Sequence, residues 1–143
     1  MRFMMIMLPG EKAEAGILPD PKLFEAMMKY NEELQKAGVL LALEGLQPSS
    51  KGARISFQGG KHTVTDGPFT EAKEVIGGFW LIQVKSKEEA VEWASRCPAG
   101  DGEAIEVRQV YELSDFPPEV LSPELSAREQ ALGEELQRKA PKS

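Results

Sequence analysis

Two strand-length segments of this sequence are apolar at nearly every position, and they limit how the chain can fold. Phe3 to Leu8 reads FMMIML, and Ile76 to Val84 reads IGGFWLIQV. A strand with apolar side chains at consecutive positions has to be covered on both faces. Both segments are therefore predicted to lie at the centre of a sheet rather than at its edges.

The segments between and after these two strands predict two helices and four more strands. Asp20-Pro21 is typical of a helix start, and Gly38 of the end of that helix. Ser86 and Glu89 have the spacing of a capping box and start the second helix. The further strands are predicted at Val39 to Leu46, Arg54 to Phe57, His62 to Thr65, and Ala104 to Leu113.

The order of these elements predicts an α+β fold. Gly59-Gly60 is a tight-turn signal that joins two of the strands into an inserted β-hairpin. Without the hairpin the order is βαββαβ, the ferredoxin-like pattern. The two apolar strands are then central, and Ala104 to Leu113 alternates apolar and polar residues, as an edge strand does.

Two helices can cover only one face of such a sheet. The other apolar face then needs a cover, and a second copy of the chain related by two-fold symmetry is the simplest one. We therefore expect a homodimer whose sheets pack face to face.

The last predicted strand ends at Leu113, and Pro117-Pro118 follows it. We therefore divide the chain into a domain at 1–113 and an extension at 114–143. Ser122-Pro123 predicts the start of a C-terminal helix. Leucines at 121, 125, 132 and 136 give that helix an apolar stripe. The alternative for this segment is a partly frayed terminus.

Composition excludes several classes of protein. The net charge of −6 argues against nucleic acid as a partner, since phosphate binding needs concentrated Lys and Arg. The N-terminal apolar run is too short for a membrane span and ends at Pro9-Gly10. Cys97, the single cysteine, fits a reducing compartment. We expect a cytoplasmic protein with no membrane association.

Asp66 is the strongest candidate for chemistry. It stands where a strand leaves the sheet, directly before Gly67, which permits unusual backbone angles, and Pro68, which restricts the chain. A carboxylate fixed there could act as a general base or accept a hydrogen bond from a substrate. The alternative is an Asx-type turn, in which the aspartate bonds nearby backbone N–H groups.

Glu44 and Lys73 are the other catalytic candidates. Glu44 interrupts an apolar strand, and it either faces a dimer cleft, where it could serve acid/base chemistry, or points outward. Lys73 lies between Glu71 and Glu74. These carboxylates favour its charged form, so anchoring a substrate suits it better than a Schiff base. A plain surface charge is the alternative.

The remaining site signals concern glycine and histidine. Gly77-Gly78 indicates either a bulge or a ligand close to the backbone, and with Gly67 and Pro68 it makes up the predicted ligand-binding set. His62 is the only histidine and falls in the predicted hairpin. We therefore expect no metal site and no cofactor.

Several motifs, in order, resemble the DGPF branch of the YCII-related domain family. The central one is TDGPF at 65–69, followed by TEAKE at 70–74. The others are MRFM at 1–4, EL at 33–34, AGV at 37–39, EGLQP at 44–48, IGGF at 76–79, residues 88–94, and IEVR at 105–108. The resemblance runs from residue 1 to about 113.

This resemblance implies a dimeric α+β barrel built from ferredoxin-like subunits. It also implies an association with extracytoplasmic-function sigma factors in bacteria. The YCII branch carries a proposed histidine–aspartate pair whose histidine lies on the first helix. Here Met27 stands near that place and Asp66 near the aspartate, so a His–Asp mechanism is not expected.

Two functions follow from these patterns. The first is binding of a small molecule, with acid/base catalysis, in a cleft that is lined by Asp66, Glu44 and Lys73. The second is a non-catalytic interaction or regulatory module that works through the dimer surface and the C-terminal helix, with a sigma-factor-linked partner.

Overall fold

The described structure, a computed structural model, covers residues 1–69 and 75–139. Its chain forms two compact units, Met1–Val110 and a second one that begins at Tyr111. Among the described residues, the first unit contains six strands and three helices, and the second contains one long helix. In chain order they are β1 (Arg2–Leu8), α1 (Glu11–Glu14), α2 (Pro21–Lys36), β2 (Leu40–Gly45), β3 (Ala53–Gln58), β4 (Lys61–Asp66), β5 (Gly78–Gln83), α3 (Lys87–Ser95), β6 (Ala104–Gln109) and α4 (Pro123–Lys139).

The main sheet has the strand order β2-β5-β1-β6, and all of its pairings are antiparallel. The two apolar strands β1 and β5 are central, and β2 and β6 lie at the edges, which confirms the ferredoxin-like α+β fold. The predicted end of the last strand, Leu113, was wrong. The strand stops at Gln109, and Leu113–Asp115 forms a 3-10 turn instead. Pro117-Pro118 follows closely, where no strand can continue.

Local sequence signals set the helix ends. The Asp20 carboxylate accepts a hydrogen bond from the Leu23 N–H at 2.8 Å, and Gly38 follows α2 with φ +74°. At α3, Ser86 Oγ accepts from the Glu89 N–H at 3.1 Å. The Glu89 carboxylate accepts from the Lys85 N–H, one residue before the position that a capping box would use.

The core lies between α2, α3 and one face of the main sheet. Tyr30 and Trp80 contact edge to face with ring centroids 5.8 Å apart. The polar ends of both rings are satisfied, because Tyr30 donates to the Trp93 carbonyl at 2.7 Å and the Trp80 indole donates to Asn31 at 2.8 Å. The buried core residues are Phe3, Met5, Met7, Tyr30, Leu34, Val39, Trp80, Ile82, Val84 and Ala90.

The opposite face of the same sheet is also apolar. Burial alternates along β1 and β5, so every second residue points away from the helices. Those side chains are half-buried: Met4, Ile6, Leu8, Phe79 and Leu81. We call these five residues the open face. It carries the apolar surface for which the sequence predicted a second copy, and the homodimer stays a prediction.

The predicted hairpin forms a separate two-stranded sheet, β3 with β4. Its turn is Gly59-Gly60, with φ +58° and +76°, values that glycine adopts without strain. The strands pair from Ala53 opposite Asp66 to Gln58 opposite Lys61. All twelve strand residues are exposed. The prediction of an inserted hairpin is therefore confirmed.

In the second unit, α4 begins as predicted, with Ser122 Oγ accepting from the Leu125 N–H at 3.2 Å. Leu125, Leu132 and Leu136 are exposed along it. In the part of the chain that the structure describes, no helix combines the length and the apolar character that a membrane span requires.

Candidate functional site

The loop that follows β4 contains Asp66, Gly67, Pro68 and Phe69, and we call it the DGPF loop. Its Gly67 N–H donates to the Gly52 carbonyl at 3.0 Å, and the Gly67-Pro68 peptide is cis. The Phe69 N–H donates to Ser49 Oγ at 3.1 Å. Pro68 has no N–H. Each backbone donor of residues 67 and 69 is thus bound by the segment around Ser49.

Ser49 is the centre of this arrangement. It is buried and lies in a 3-10 turn, Ser49–Lys51. Its hydroxyl donates to Glu14 Oε1 while accepting from Phe69, and its own N–H donates to the same carboxylate oxygen at 3.1 Å. One hydroxyl can serve as donor and acceptor at once, so Ser49 ties the DGPF loop to the end of α1.

Gly67 packs directly on this segment. A Cβ placed there would overlap the Ser49 carbonyl oxygen and lie 2.5 Å from the Ser49 carbonyl carbon. Both obstacles are backbone, which cannot rotate away as a side chain would. Only glycine therefore fits at position 67, and close packing explains it without a ligand.

The Asp66 carboxylate is left exposed at the end of β4. In residues 1–69 and 75–139, no N–H group donates to it. The Asx-turn alternative requires such a bond within the loop, whereas the loop N–H groups bond to Gly52 and Ser49 instead. The turn is held without the aspartate, which leaves its carboxylate oxygens available.

Glu44 belongs to a different part of the fold. It lies on edge strand β2 opposite Phe79, on the sheet side away from the helices, and it is exposed. Gly78 is packed against it, since a Cβ there would come within 2.8 Å of the Glu44 carbonyl oxygen. Gly77 packs on Pro9 and bonds through its N–H to the Met7 carbonyl at 2.8 Å.

The predicted site residues thus fall into two groups. Asp66, Gly67 and Pro68 form the DGPF loop, and Glu44 with Gly77-Gly78 lies at the junction of β2 and β5. Within the described ranges, no hydrogen bond or ion pair joins Asp66 to Glu44. Lys73 lies outside the described residues, as do Glu71 and Glu74, so its predicted role stays a prediction.

Arg54 adds a cation next to the loop. Its guanidinium carbon lies 4.1 Å from the centroid of the Phe69 ring, a cation–π contact. The roles of Ser49 and Glu14 were missed, since their contact spans 35 residues and no local pattern marks it.

The other residues that could carry chemistry are metal-binding groups, His62 and Cys97, and they offer weaker candidate sites. Among the described residues, no group of three or more His, Cys, Asp or Glu side chains could hold a metal ion. His62 is exposed on β4, as expected. Cys97 is half-buried and free, and burial together with the nearby Glu103 carboxylate raises the pKa of its thiol to about 11. A thiol with that pKa is a poor nucleophile near neutral pH.

The structure also contains an open apolar groove away from the DGPF loop. Its volume is about 510 Å³, and it is lined by Leu18, Pro19, Pro21, Phe24, Glu25 and Met28. None of the predicted site residues belongs to it. Its lining is almost entirely apolar, so it offers few groups that could orient a ligand.

Comparison with known proteins gives a family but no activity. An uncharacterised protein of Rhizobium meliloti (strain 1021) is 32% identical over 75 residues, which are 52% of this chain. The matched segment spans 60% of the length of that curated relative. The family model described as "YCII-related domain" matches residues 1–114, the whole of the first unit and the four residues after it. The chain therefore belongs to the YCII-related domain family.

Proposed function

We propose that the DGPF loop is a binding site for a small polar molecule and that the Asp66 carboxylate is its main acceptor. The observation that carries this proposal is the exposed Asp66 carboxylate, which has no hydrogen-bond partner among residues 1–69 and 75–139, on a loop whose Gly67 and Phe69 N–H groups are held by Gly52 and Ser49. A loop with fixed geometry loses little conformational freedom when a ligand binds, and this favours affinity.

The chemistry of the carboxylate limits the ligand. An ionised aspartate accepts hydrogen bonds and donates none, so the ligand has to present N–H or O–H groups. A cationic amine or guanidine adds charge to the hydrogen bond, which strengthens it further. An acid/base step by Asp66 on such a ligand is part of this proposal, without Glu44, which belongs to the separate junction of β2 and β5. Lys73 remains a candidate anchor.

A fragment screen by NMR tests the proposal, with binding detected on the fragment signals and located by the shifts of the protein amides. The probes are fragments that carry amines, guanidines or vicinal hydroxyls, and the variants are Asp66→Asn and Asp101→Asn. Asparagine preserves the shape of aspartate and removes its charge. Asp101 is an exposed turn carboxylate in the same unit and serves as the matched control.

We expect fragments that bind to the wild type and to Asp101→Asn but no longer to Asp66→Asn. Fragments that bind all three proteins equally would contradict the proposal. The same contradiction would follow if the bound fragments shifted the amides of the groove at Leu18 and Phe24 rather than those of Gly67 and Phe69.

The second candidate function is an interaction or regulatory module. It is favoured by α4, a 17-residue helix whose leucines at 125, 132 and 136 are exposed. An exposed apolar stripe of this kind fits the groove of another protein. A partner in a sigma-factor-linked system is the candidate that the DGPF resemblance implies.

Binding of a purified sigma factor from the same genome tests this alternative. Calorimetry should show binding to the full chain and none to the variant with Leu125 and Leu132 changed to serine. Equal binding by both would exclude the leucine stripe as the partner surface.

A further inference from the structure

The hydrogen bonds of the β3–β4 hairpin determine which backbone groups point between its two strands. Gly59-Gly60 closes the hairpin with a two-residue turn, and beyond its open end the Gly67 N–H donates to the Gly52 carbonyl at 3.0 Å. Hydrogen-bonded and non-hydrogen-bonded pairs alternate in an antiparallel ladder. Counting from the turn and from the open end gives the same hydrogen-bonded pairs, which are Arg54 with Thr65, Ser56 with Thr63, and Gln58 with Lys61.

The residues between these pairs direct their N–H and carbonyl groups outward. On β4 they are His62, Val64 and Asp66, and within the described ranges no residue binds these outward groups. The DGPF loop bonds to Gly52 and Ser49, which precede β3, so its described part turns away from the outer edge of β4. An edge strand with free backbone groups is a template for pairing with another extended chain.

The side chains along this edge specify what kind of chain fits it. Asp66 and Val64 are two residues apart on β4, so they lie on the same face, and both are exposed. Directly opposite residues of neighbouring strands also share a face and contact each other. A strand added to β4 therefore places one side chain beside the Asp66 carboxylate and another beside Val64. A cation suits the first position, and an apolar side chain suits the second.

We propose that an extended peptide segment binds along β4 as an added antiparallel strand. Its lysine or arginine side chain lies on the Asp66 carboxylate, and an apolar side chain two residues later lies on Val64. Main-chain hydrogen bonds supply affinity in this mode of recognition, and alternate side chains supply specificity. The inference rests on the proposed role of Asp66 as acceptor and names the ligand class of that site. Amine and guanidine fragments then mimic one side chain of the whole ligand.

Titration of three synthetic peptides into the isotope-labelled full chain tests the proposal by NMR. The parent peptide is acetyl-Lys-Thr-Val-Thr-Tyr-amide, whose lysine pairs with Asp66 and whose valine pairs with Val64. The first control carries an N-methyl group on its valine, which removes the N–H that donates to the Val64 carbonyl. The second control has norleucine in place of lysine, which keeps the chain length and removes the charge.

We expect each control peptide to bind the wild type at least about tenfold more weakly than the parent peptide, because each lacks one hydrogen bond of the complex. On Asp66→Asn, which has no charge at this position, the parent and norleucine peptides should bind within about twofold of each other. The Val64 amide should move to a hydrogen-bonded shift on binding. The Thr63 amide is already bonded within the hairpin and should move little.

Other outcomes contradict the proposal, and they separate it from the proposed function. Equal affinity of the parent and N-methyl peptides, with the lysine still required, would refute strand addition and leave Asp66 as an acceptor of amines. A loss of affinity on N-methylation, with no effect of norleucine or of Asp66→Asn, would refute the role of Asp66 in both. If none of the three peptides bound, the inference would be wrong, while the fragment screen would still decide the proposed site.

Discussion

Substitution of Gly67 by alanine tests how firmly the DGPF loop is held. The added Cβ would overlap the Ser49 carbonyl oxygen, and it would also lie 3.1 Å from the Ser50 nitrogen. Ordinary carbon contacts begin near 3.4 Å, so the two backbone segments have to separate. That movement breaks the bonds of the loop to Gly52 and Ser49, which are 3.0 and 3.1 Å long.

The expected loss of stability is about 3 kcal/mol, at the upper end of the range for overpacking, because both obstacles are backbone. For a chain of this length, about 3 kcal/mol corresponds to a Tm decrease of about 10 °C. Calorimetry and urea denaturation both measure this change. NMR should show the Phe69 amide losing its hydrogen-bonded shift.

Gly45→Ala is the matched control, because an added Cβ at that strand position meets no atom within 4 Å. We expect its Tm to stay within a few degrees of wild type, since alanine in a strand costs no more than glycine. If Gly67→Ala were as stable as Gly45→Ala, the loop would not pack on Ser49, and the account of an anchored carboxylate would fail.

Three further changes test separate parts of the structure. Ser49→Ala leaves the Phe69 N–H without its acceptor, so stability should fall by about 1–2 kcal/mol and exchange of that amide should become faster; unchanged exchange would contradict the bond. The thiol of Cys97 has a pKa near 11 rather than 9.0, so it should react with iodoacetamide at pH 8 about a hundredfold more slowly than a free cysteine. The free energy of unfolding should fall as pH rises from 9 to 11, because in this range the unfolded thiol ionises while the folded thiol stays protonated. A reaction rate equal to that of the free amino acid would exclude the buried position. Gly133 lies within α4 with open space around it, so Gly133→Ala should stabilise α4 by about 0.5–1 kcal/mol and raise the helicity measured by circular dichroism. A loss of helicity would contradict the assigned helix.

Much of the fold could be predicted because its signals are local. The apolar runs in β1 and β5 place those strands at the centre of the sheet, and Asp20-Pro21 sets the start of α2 through one capping bond. Gly59-Gly60 fixes the hairpin turn by its backbone angles. In each case a few neighbouring residues determine the conformation.

The candidate site could be predicted only in part. Asp66 and the turn after it are marked by their sequence, but the loop is held by Ser49 and Glu14, which are distant along the chain. The four-residue helix α1 was missed for a related reason. So short a helix carries no periodic pattern, and its stability comes from the contacts that it makes.

The predicted C-terminal end of the last strand was wrong, because tertiary structure determines where that strand ends. Tyr111 and Leu113 continue the alternation of β6, yet pairing with β1 ends at Gln109 because β1 itself begins at Arg2. Apolar alternation predicts a strand, whereas the length of the neighbouring strand determines where pairing ends.

The most direct test of the central claim is the affinity of one fragment for two proteins. The strongest amine or guanidine fragment from the screen is titrated into wild type and into Asp66→Asn, with the Gly67 and Phe69 amides as reporters. We predict a Kd at least about tenfold weaker for Asp66→Asn, the loss expected when a charge-assisted hydrogen bond of about 1.5 kcal/mol or more is removed. Equal Kd values for the two proteins would contradict the claim that Asp66 is the acceptor of this site.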